Sequence, residues 1–86
     1  MVRVTFRNPV TEQTLPVDEL DESMTVREAV DHLIEHSFIP PARDGRHYLL
    51  AVKGKMELTR DDATLSSANV ADGDVINVLV AQRGGR

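Results

Sequence analysis

His32 and His36 stand four residues apart, and the stretch His32-Leu33-Ile34-Glu35-His36 has the literal form H-x-x-E-H of one zinc-peptidase class. On a helix, two such histidines share a face and could ligate a metal. No third ligand is evident, and Leu33 is needed by an apolar stripe. The pair therefore reads as flanking or exposed helix positions, and no metal or cofactor is expected. Lys53 and Lys55, the two lysines of the chain, flank Gly54, where a solvated hairpin turn accounts for them. Asp18, Glu19, Asp21 and Glu22 could dock a basic partner, although such a run more simply makes a solvated loop. Gly84-Gly85 presents bare backbone that can lie flat in a narrow channel; taken alone, it equally makes a flexible end. There is no cysteine, which excludes disulfides and thiol catalysis. No acid, base and nucleophile converge in the sequence, so the domain is not expected to be an enzyme.

The elements that must position these residues fit one domain, since the chain has 86 residues. A domain of this size buries ~60–68% of the surface exposed by the unfolded chain, enough for one core without staples. The formal net charge is −4, with 10 basic residues against 14 acidic ones. A nucleic-acid binder would show a basic surplus. Phe6, Phe38 and Tyr48, the only aromatics, make no base-stacking platform. No apolar run approaches a membrane span, and Met1-Val2-Arg3-Val4 resembles no signal peptide. The expectation is a soluble, cytoplasmic protein with neither nucleic-acid nor membrane partners.

Residues 2–7 alternate apolar and polar, the period of a half-buried strand with Val2, Val4 and Phe6 inward. Asn8-Pro9 opens a turn. A second strand is predicted around Thr14–Val17, with Pro16 at an edge or bulge, followed by an acidic loop over Asp18–Ser23. Thr25-Val26-Arg27-Glu28 has capping-box spacing. Val26, Ala29, Val30 and Leu33 then recur at helical spacing, which predicts a helix over 26–37, stopped by Pro40-Pro41. A third strand is predicted through Tyr48–Val52, a short one near Met56–Leu58, a helical turn over Thr64–Asn69 and a last strand over Val75–Ala81. Val4, Val30, Leu33, Leu50, Val78 and Val80 should be buried together. One helix and one sheet, each with one apolar face, predict an α+β two-layer domain over residues 1–81, with 82–86 as a mobile tail.

In this order the elements resemble ubiquitin. The helix opening Thr25-Val26-Arg27-Glu28, the Ile39-Pro40-Pro41 that follows the helix, Thr64-Leu65-Ser66 with Asn69-Val70, and the tail Arg83-Gly84-Gly85 are each similar to their counterparts. The chain departs from that pattern in Arg86 beyond the double glycine, in a longer loop before Thr64 and in its poor lysine set. It resembles a divergent member of the ubiquitin-like family, such as the bacterial or archaeal modifiers. The resemblance implies a β-grasp fold, a mixed sheet of four to five strands packed on one helix, with the final strand beside the first.

It also implies a role for the tail. Gly84 and Gly85 would be the conjugation terminus, adenylated by an ATP-using activating enzyme, passed on by a conjugating enzyme and joined to a target protein through an isopeptide bond. Arg86 would be a precursor residue removed by a processing or deconjugating peptidase, unless the partner tolerates it. Leu49, Ala51 and Leu79 are expected on the outer face of the sheet; Leu79 and Ala51 match the apolar patch through which ubiquitin is recognised, though alanine makes it poorer, and Arg83 is expected to take part in recognition, while ordinary exposed leucines would need no such explanation. Lys55 aligns with a lysine that accepts another copy's terminus. A sulfur carrier ending in a thiocarboxylate shares the fold and the Gly-Gly. A non-covalent interaction module shares the fold and generally needs no Gly-Gly.

Overall fold

Val4 and Phe6 enter the core while Arg3 and Thr5 take the opposite face, and this alternation makes β1 (Val2–Arg7). The computed structural model describes residues 1–43 and 45–82, without the side chain of Gln82. Asn8 closes the first hairpin. Its amide donates to the Gln13 carbonyl at 2.9 Å, and its Oδ1 accepts from the Val10 amide at 3.0 Å. A short amide side chain that bonds its own backbone two residues on suits this turn.

The second strand, β2 (Thr14–Leu20), runs farther than the expected Thr14–Val17. Val2 pairs with Leu20 but Val4 with Val17, so β2 carries one extra residue and bulges at Asp18–Glu19. The acidic stretch expected as loop is therefore divided: Asp18 and Glu19 belong to the bulged strand, and the loop begins at Asp21. Burial of Leu20 draws the strand through two acids that, read alone, signal a loop. Pro16 faces Thr5 on this edge strand, where a residue without an N–H is tolerated. Proline, bulge and acids together make β2 a poor template for pairing with another chain.

The helix α1 (Val26–Glu35) begins at a complete capping box. The Glu28 amide donates to Thr25 Oγ1 at 3.2 Å, and the Thr25 amide donates to Glu28 Oε1 at 3.0 Å. The two amides ahead of Glu28 have no partner within the helix. A distant loop supplies them: Val26 donates to the Ala63 carbonyl at 2.8 Å and Arg27 to Asp61 at 3.0 Å. The helix ends before the prolines act on it, two residues short of the expected 26–37. Ser37 turns left-handed at φ 60°, its amide donates to the Ile34 carbonyl at 3.0 Å, and the Phe38 amide donates to Leu33 at 2.9 Å. This is a Schellman stop with serine in the place glycine usually takes.

Then follow β3 (Arg46–Val52), β4 (Glu57–Leu58), a 3-10 turn (Leu65–Ala68) and β5 (Asp74–Gln82). Among the described residues the strands form one mixed sheet in the order β2-β1-β5-β3-β4. β1 and β5 are parallel neighbours, as the resemblance implied, and the other pairings are antiparallel. Gln82, expected in the tail, pairs with Arg46. The core lies between sheet and helix, with Leu50, Leu65 and Ile76 fully buried and Val4, Leu33 and Val78 around them.

Two residues of the expected core stand differently. Val30 packs against the core only half-buried, on the flank of the helix. Val80 keeps the inward parity of Ile76 and Val78 but is 55% exposed. At that end of β5 the inner face is met by the 39–43 loop, which leaves an open groove of about 850 Å³ lined by Val10, Pro40, Tyr48 and Val80.

Replacing Leu50 by alanine removes a fully buried side chain from the centre of the sheet, and a loss of roughly 2–5 kcal/mol is expected in chemical denaturation. That is a large share of the ~5–15 kcal/mol typical of a domain. A loss below about 0.5 kcal/mol, the range of surface substitutions, would remove Leu50 from the core.

Candidate partner-recognition surface

The alternation that sends Leu50, Val52, Ile76 and Val78 inward sends their neighbours outward. On the outer face of the sheet His47 lies opposite Ala81, Leu49 opposite Leu79, and Ala51 opposite Asn77. Residues directly opposite on antiparallel strands bring their Cβ atoms to about 4.5–5.5 Å, so Leu49 and Leu79 form an apolar pair with alanines on either side. All of these side chains are half-buried by one another and open to contact from outside. Leu49, Ala51 and Leu79 are thus together on the outer face, as the alternation predicts. His47, Asn77 and Ala81 belong to the same surface and were not singled out in the sequence. Their parity with Leu49 and Leu79 was the signal that could have found them. His47 Nδ1 and Asn77 Oδ1 are buried without a hydrogen-bond partner among the described residues, which gives the apolar pair a polar atom toward either end.

The two lysines differ sharply. The Lys55 ammonium donates to Asp74 Oδ2 at 2.8 Å and to the Asn69 carbonyl. Asn69 is itself left-handed, at φ 56°, and ends the 3-10 turn. Asp74 Oδ2 also accepts from the Ala71 amide at 2.8 Å. One ion pair therefore ties the β3–β4 turn to the entry of β5. Lys53 is exposed at the start of the same turn, its backbone amide bonded to the Val75 carbonyl at 2.9 Å.

The histidines of the H-x-x-E-H stretch are turned to their own helix. His36 Nδ1 lies 3.0 Å from the His32 carbonyl, and His32 Nδ1 lies 3.6 Å from Glu35 Oε1. No group of three or more His, Asp or Glu residues among the described residues could hold a metal ion. No helix among them is long and apolar enough to cross a membrane. Arg83, Gly84, Gly85 and Arg86, the residues singled out in the tail, lie outside the described residues; β5 ends at Gln82, next to the first of them.

No protein-family model matches the chain, and no curated protein matches it. Solved structures do. A de novo designed protein based on ubiquitin superposes with a TM-score of 0.72 at 22% identity, over 99% of this chain and 94% of the other. The solution structure of the ubiquitin-like domain of an Arabidopsis thaliana protein superposes with a TM-score of 0.62 at 24% identity, over 91% of this chain and 74% of that one. The fold is the ubiquitin-like β-grasp.

The Asp74 contacts give this region a pH signature. The Lys55 ammonium first, and the Ala71 amide second, hold the Asp74 carboxyl below its ordinary value of 3.8. A carboxyl lowered in the folded state contributes stability above its unfolded pKa and loses it as pH falls through the folded one. Asp74→Asn should therefore destabilise the domain by roughly 1 kcal/mol at neutral pH. In urea titrations across acidic pH, the gap to the wild type should close below 3.8. A gap that persisted unchanged to the acid limit would show that the charge does not carry the effect.

Proposed function

We propose that this chain is a ubiquitin-like protein modifier, trimmed to Gly85, activated with ATP by a separate enzyme and joined to a nucleophile on a target. The observation that carries this reading is one of continuity. Leu79, paired with Leu49 on the open outer face, lies on the strand that leads directly into Arg83-Gly84-Gly85. A partner docked on the Leu49–Leu79 pair sits on the strand from which the chain enters that segment. Placing ATP chemistry in the cytoplasm is part of the same reading.

The chemistry belongs to the partners. The Gly85 carboxylate attacks the α-phosphorus of ATP, pyrophosphate leaves, and an acyl adenylate forms. A conjugating enzyme receives the acyl group, and a target nucleophile takes it from there. The domain supplies the docking face and a tail without Cβ atoms at its last two positions, which fits a narrow channel. A sulfur carrier would use the same activation and differ in the product at Gly85, a thiocarboxylate, which intact mass distinguishes from a conjugate.

Leu79→Asp tests the docking face. The side chain is only half-buried on the outer face, so the thermal midpoint should change little. Affinity for the activating enzyme, measured by calorimetry, should fall about tenfold or more, as for an apolar anchor of a small interface. Unchanged affinity would remove the Leu49–Leu79 pair from the recognition surface.

Arg86 tests the terminus. Adenylation makes an acyl donor only of the last residue, and in this sequence Arg86 follows Gly85. A channel shaped for glycine excludes its side chain, and its charge would be costly to bury there without a partner. A chain ending at Gly85 should give ATP-dependent adducts with its cognate enzymes, whereas the full chain should do so only with a processing peptidase present. Intact mass spectrometry reads both. Efficient adducts that retain Arg86, or equal activity from a chain lacking Gly84 and Gly85, would overturn the precursor reading. The second result would leave a non-covalent interaction module.

A further inference from the structure

Resting on the modifier reading above, we propose that Lys53, and not Lys55, is the amine through which this chain accepts the Gly85 acyl group of a second copy of itself. The sequence offers two lysine amines, Lys53 and Lys55, separated by one glycine. Alignment to ubiquitin favours Lys55. The geometry points the other way.

An amine attacks an acyl carbon with its lone pair, so it must be free of the proton and of the contacts that hold the proton in place. The Lys55 ammonium is held on two sides, by Asp74 Oδ2 at 2.8 Å and by the Asn69 carbonyl. Its side chain is only 32% exposed, and that of Asp74 only 19%. To react, Lys55 must break a charge-assisted hydrogen bond and leave the Asp74 carboxylate with the Ala71 amide as its remaining partner. Losing the Lys55 contact would also release the tie between the β3–β4 turn and the entry of β5.

Lys53 carries none of these constraints. It is exposed, and its side chain makes no hydrogen bond or ion pair among the described residues. The backbone beside it is open, for a Cβ built on Gly54 would meet no atom within 4 Å. Lys53 also keeps its place in the sheet, since its amide bonds Val75 of β5. It directly follows Val52, the last residue of β3, and so stands at the end of the strand that carries His47, Leu49 and Ala51. A partner seated on the Leu49–Leu79 pair thus has Lys53 at the end of the same strand, while Lys55 is turned toward Asp74.

The step balances simply. Neutral Lys53 Nζ attacks the activated Gly85 carbonyl of the donor copy and an N–C bond forms. The bond to the leaving group, an adenylate oxygen or an enzyme thiol, breaks, and the leaving group departs with the electron pair. The surplus proton passes from nitrogen to water or to a base on the enzyme.

The test separates this inference from the modifier reading, because it needs no ATP and no enzyme. The donor is a chain ending at Gly85, prepared as a C-terminal thioester and carrying K53R and K55R, so that every lysine linkage lies on the acceptor and peptide mapping separates it from reaction at an α-amine. The acceptor is the full chain ending at Arg86, as wild type, K53R, K55R or D74N. Products are read by intact mass and peptide mapping after incubation at mildly alkaline pH. The expected result is a Gly85–Lys53 isopeptide about tenfold in excess over Gly85–Lys55, the scale set by two lost hydrogen bonds. It should survive K55R and vanish in K53R, and D74N should raise linkage at Lys55. Arginine keeps the positive charge at either turn position, and circular dichroism of each acceptor verifies that the fold is intact. Equal or greater linkage at Lys55 in the wild type, an unchanged yield in K53R, or no linkage at Lys53 overturns the proposal. Failure of the modifier reading shows elsewhere, as an absence of ATP-dependent adducts on any nucleophile.

Discussion

The parallel pairing of Val4–Arg7 with Asp74–Asn77 joins the two ends of the chain in the middle of the sheet, and the other elements are placed by it. Parallel neighbours cannot be linked by a tight turn, so everything between them must form the crossover. The hairpin partner β2 takes one flank of β1, β3 takes the free flank of β5, and α1 covers the face between. The seam is fixed where β5 begins: the Gly73 amide donates to the Arg3 carbonyl at 2.7 Å, and the Arg3 amide donates to Asp72 Oδ1 at 2.8 Å. Gly73 reaches this position at φ 89°, a conformation that side chains with a Cβ resist. β1 stops at Arg7 while β5 continues to Gln82, so the second half of β5 is paired on one side only, with β3. That overhang carries Leu79 and leads to the tail.

A second dependency links regions far apart in sequence. The loop before the 3-10 turn donates nothing to the core until Ala63 and Leu65, yet its carbonyls at Asp61 and Ala63 complete the N-terminus of α1. In return, the Leu65 amide bonds the Met24 carbonyl at 2.9 Å, and the Ser66 amide bonds Glu22 at 2.7 Å. The helix start and this loop are therefore one structural unit, though each looks self-contained as a string of residues. Helix amides need partners wherever they can be found, and here the capping box alone leaves Val26 and Arg27 to the loop.

Much of this was legible in the sequence, for identifiable reasons. Period-2 alternation over residues 2–7 and around Leu50 located β1 and β3, and Thr25 with Glu28 marked the helix start to the residue. The end of the helix was not legible, since serine gives no hint that it will adopt a left-handed stop; a glycine at position 37 would have. The reach of β2 was hidden because Asp18 and Glu19 carry a loop's composition into a bulged strand that Leu20 anchors from beyond. Val80 shows the limit of parity arguments: alternation says which face a side chain takes, and only the layer above says whether that face is covered. The state of Lys55 was also beyond reach. Its partners Asn69 and Asp74 are distant in sequence, and nothing local distinguishes it from Lys53.

The same two strands build the core on one face and an open surface on the other. On β3 and β5 the even-numbered residues Leu50, Val52, Ile76 and Val78 fill the core, and the odd-numbered Leu49, Ala51, Asn77 and Leu79 make the outer face. A change at an odd position leaves the packed layer untouched, so the contact surface is free to vary while the fold is retained. The arrangement also explains why structures at 22–24% identity superpose so closely with this one. What the fold requires is an apolar residue at alternate positions and a few capped ends, and that leaves the remaining positions open. By the same logic the likeness of folds fixes no partner. The outer-face residues are the part of these strands that the core does not dictate.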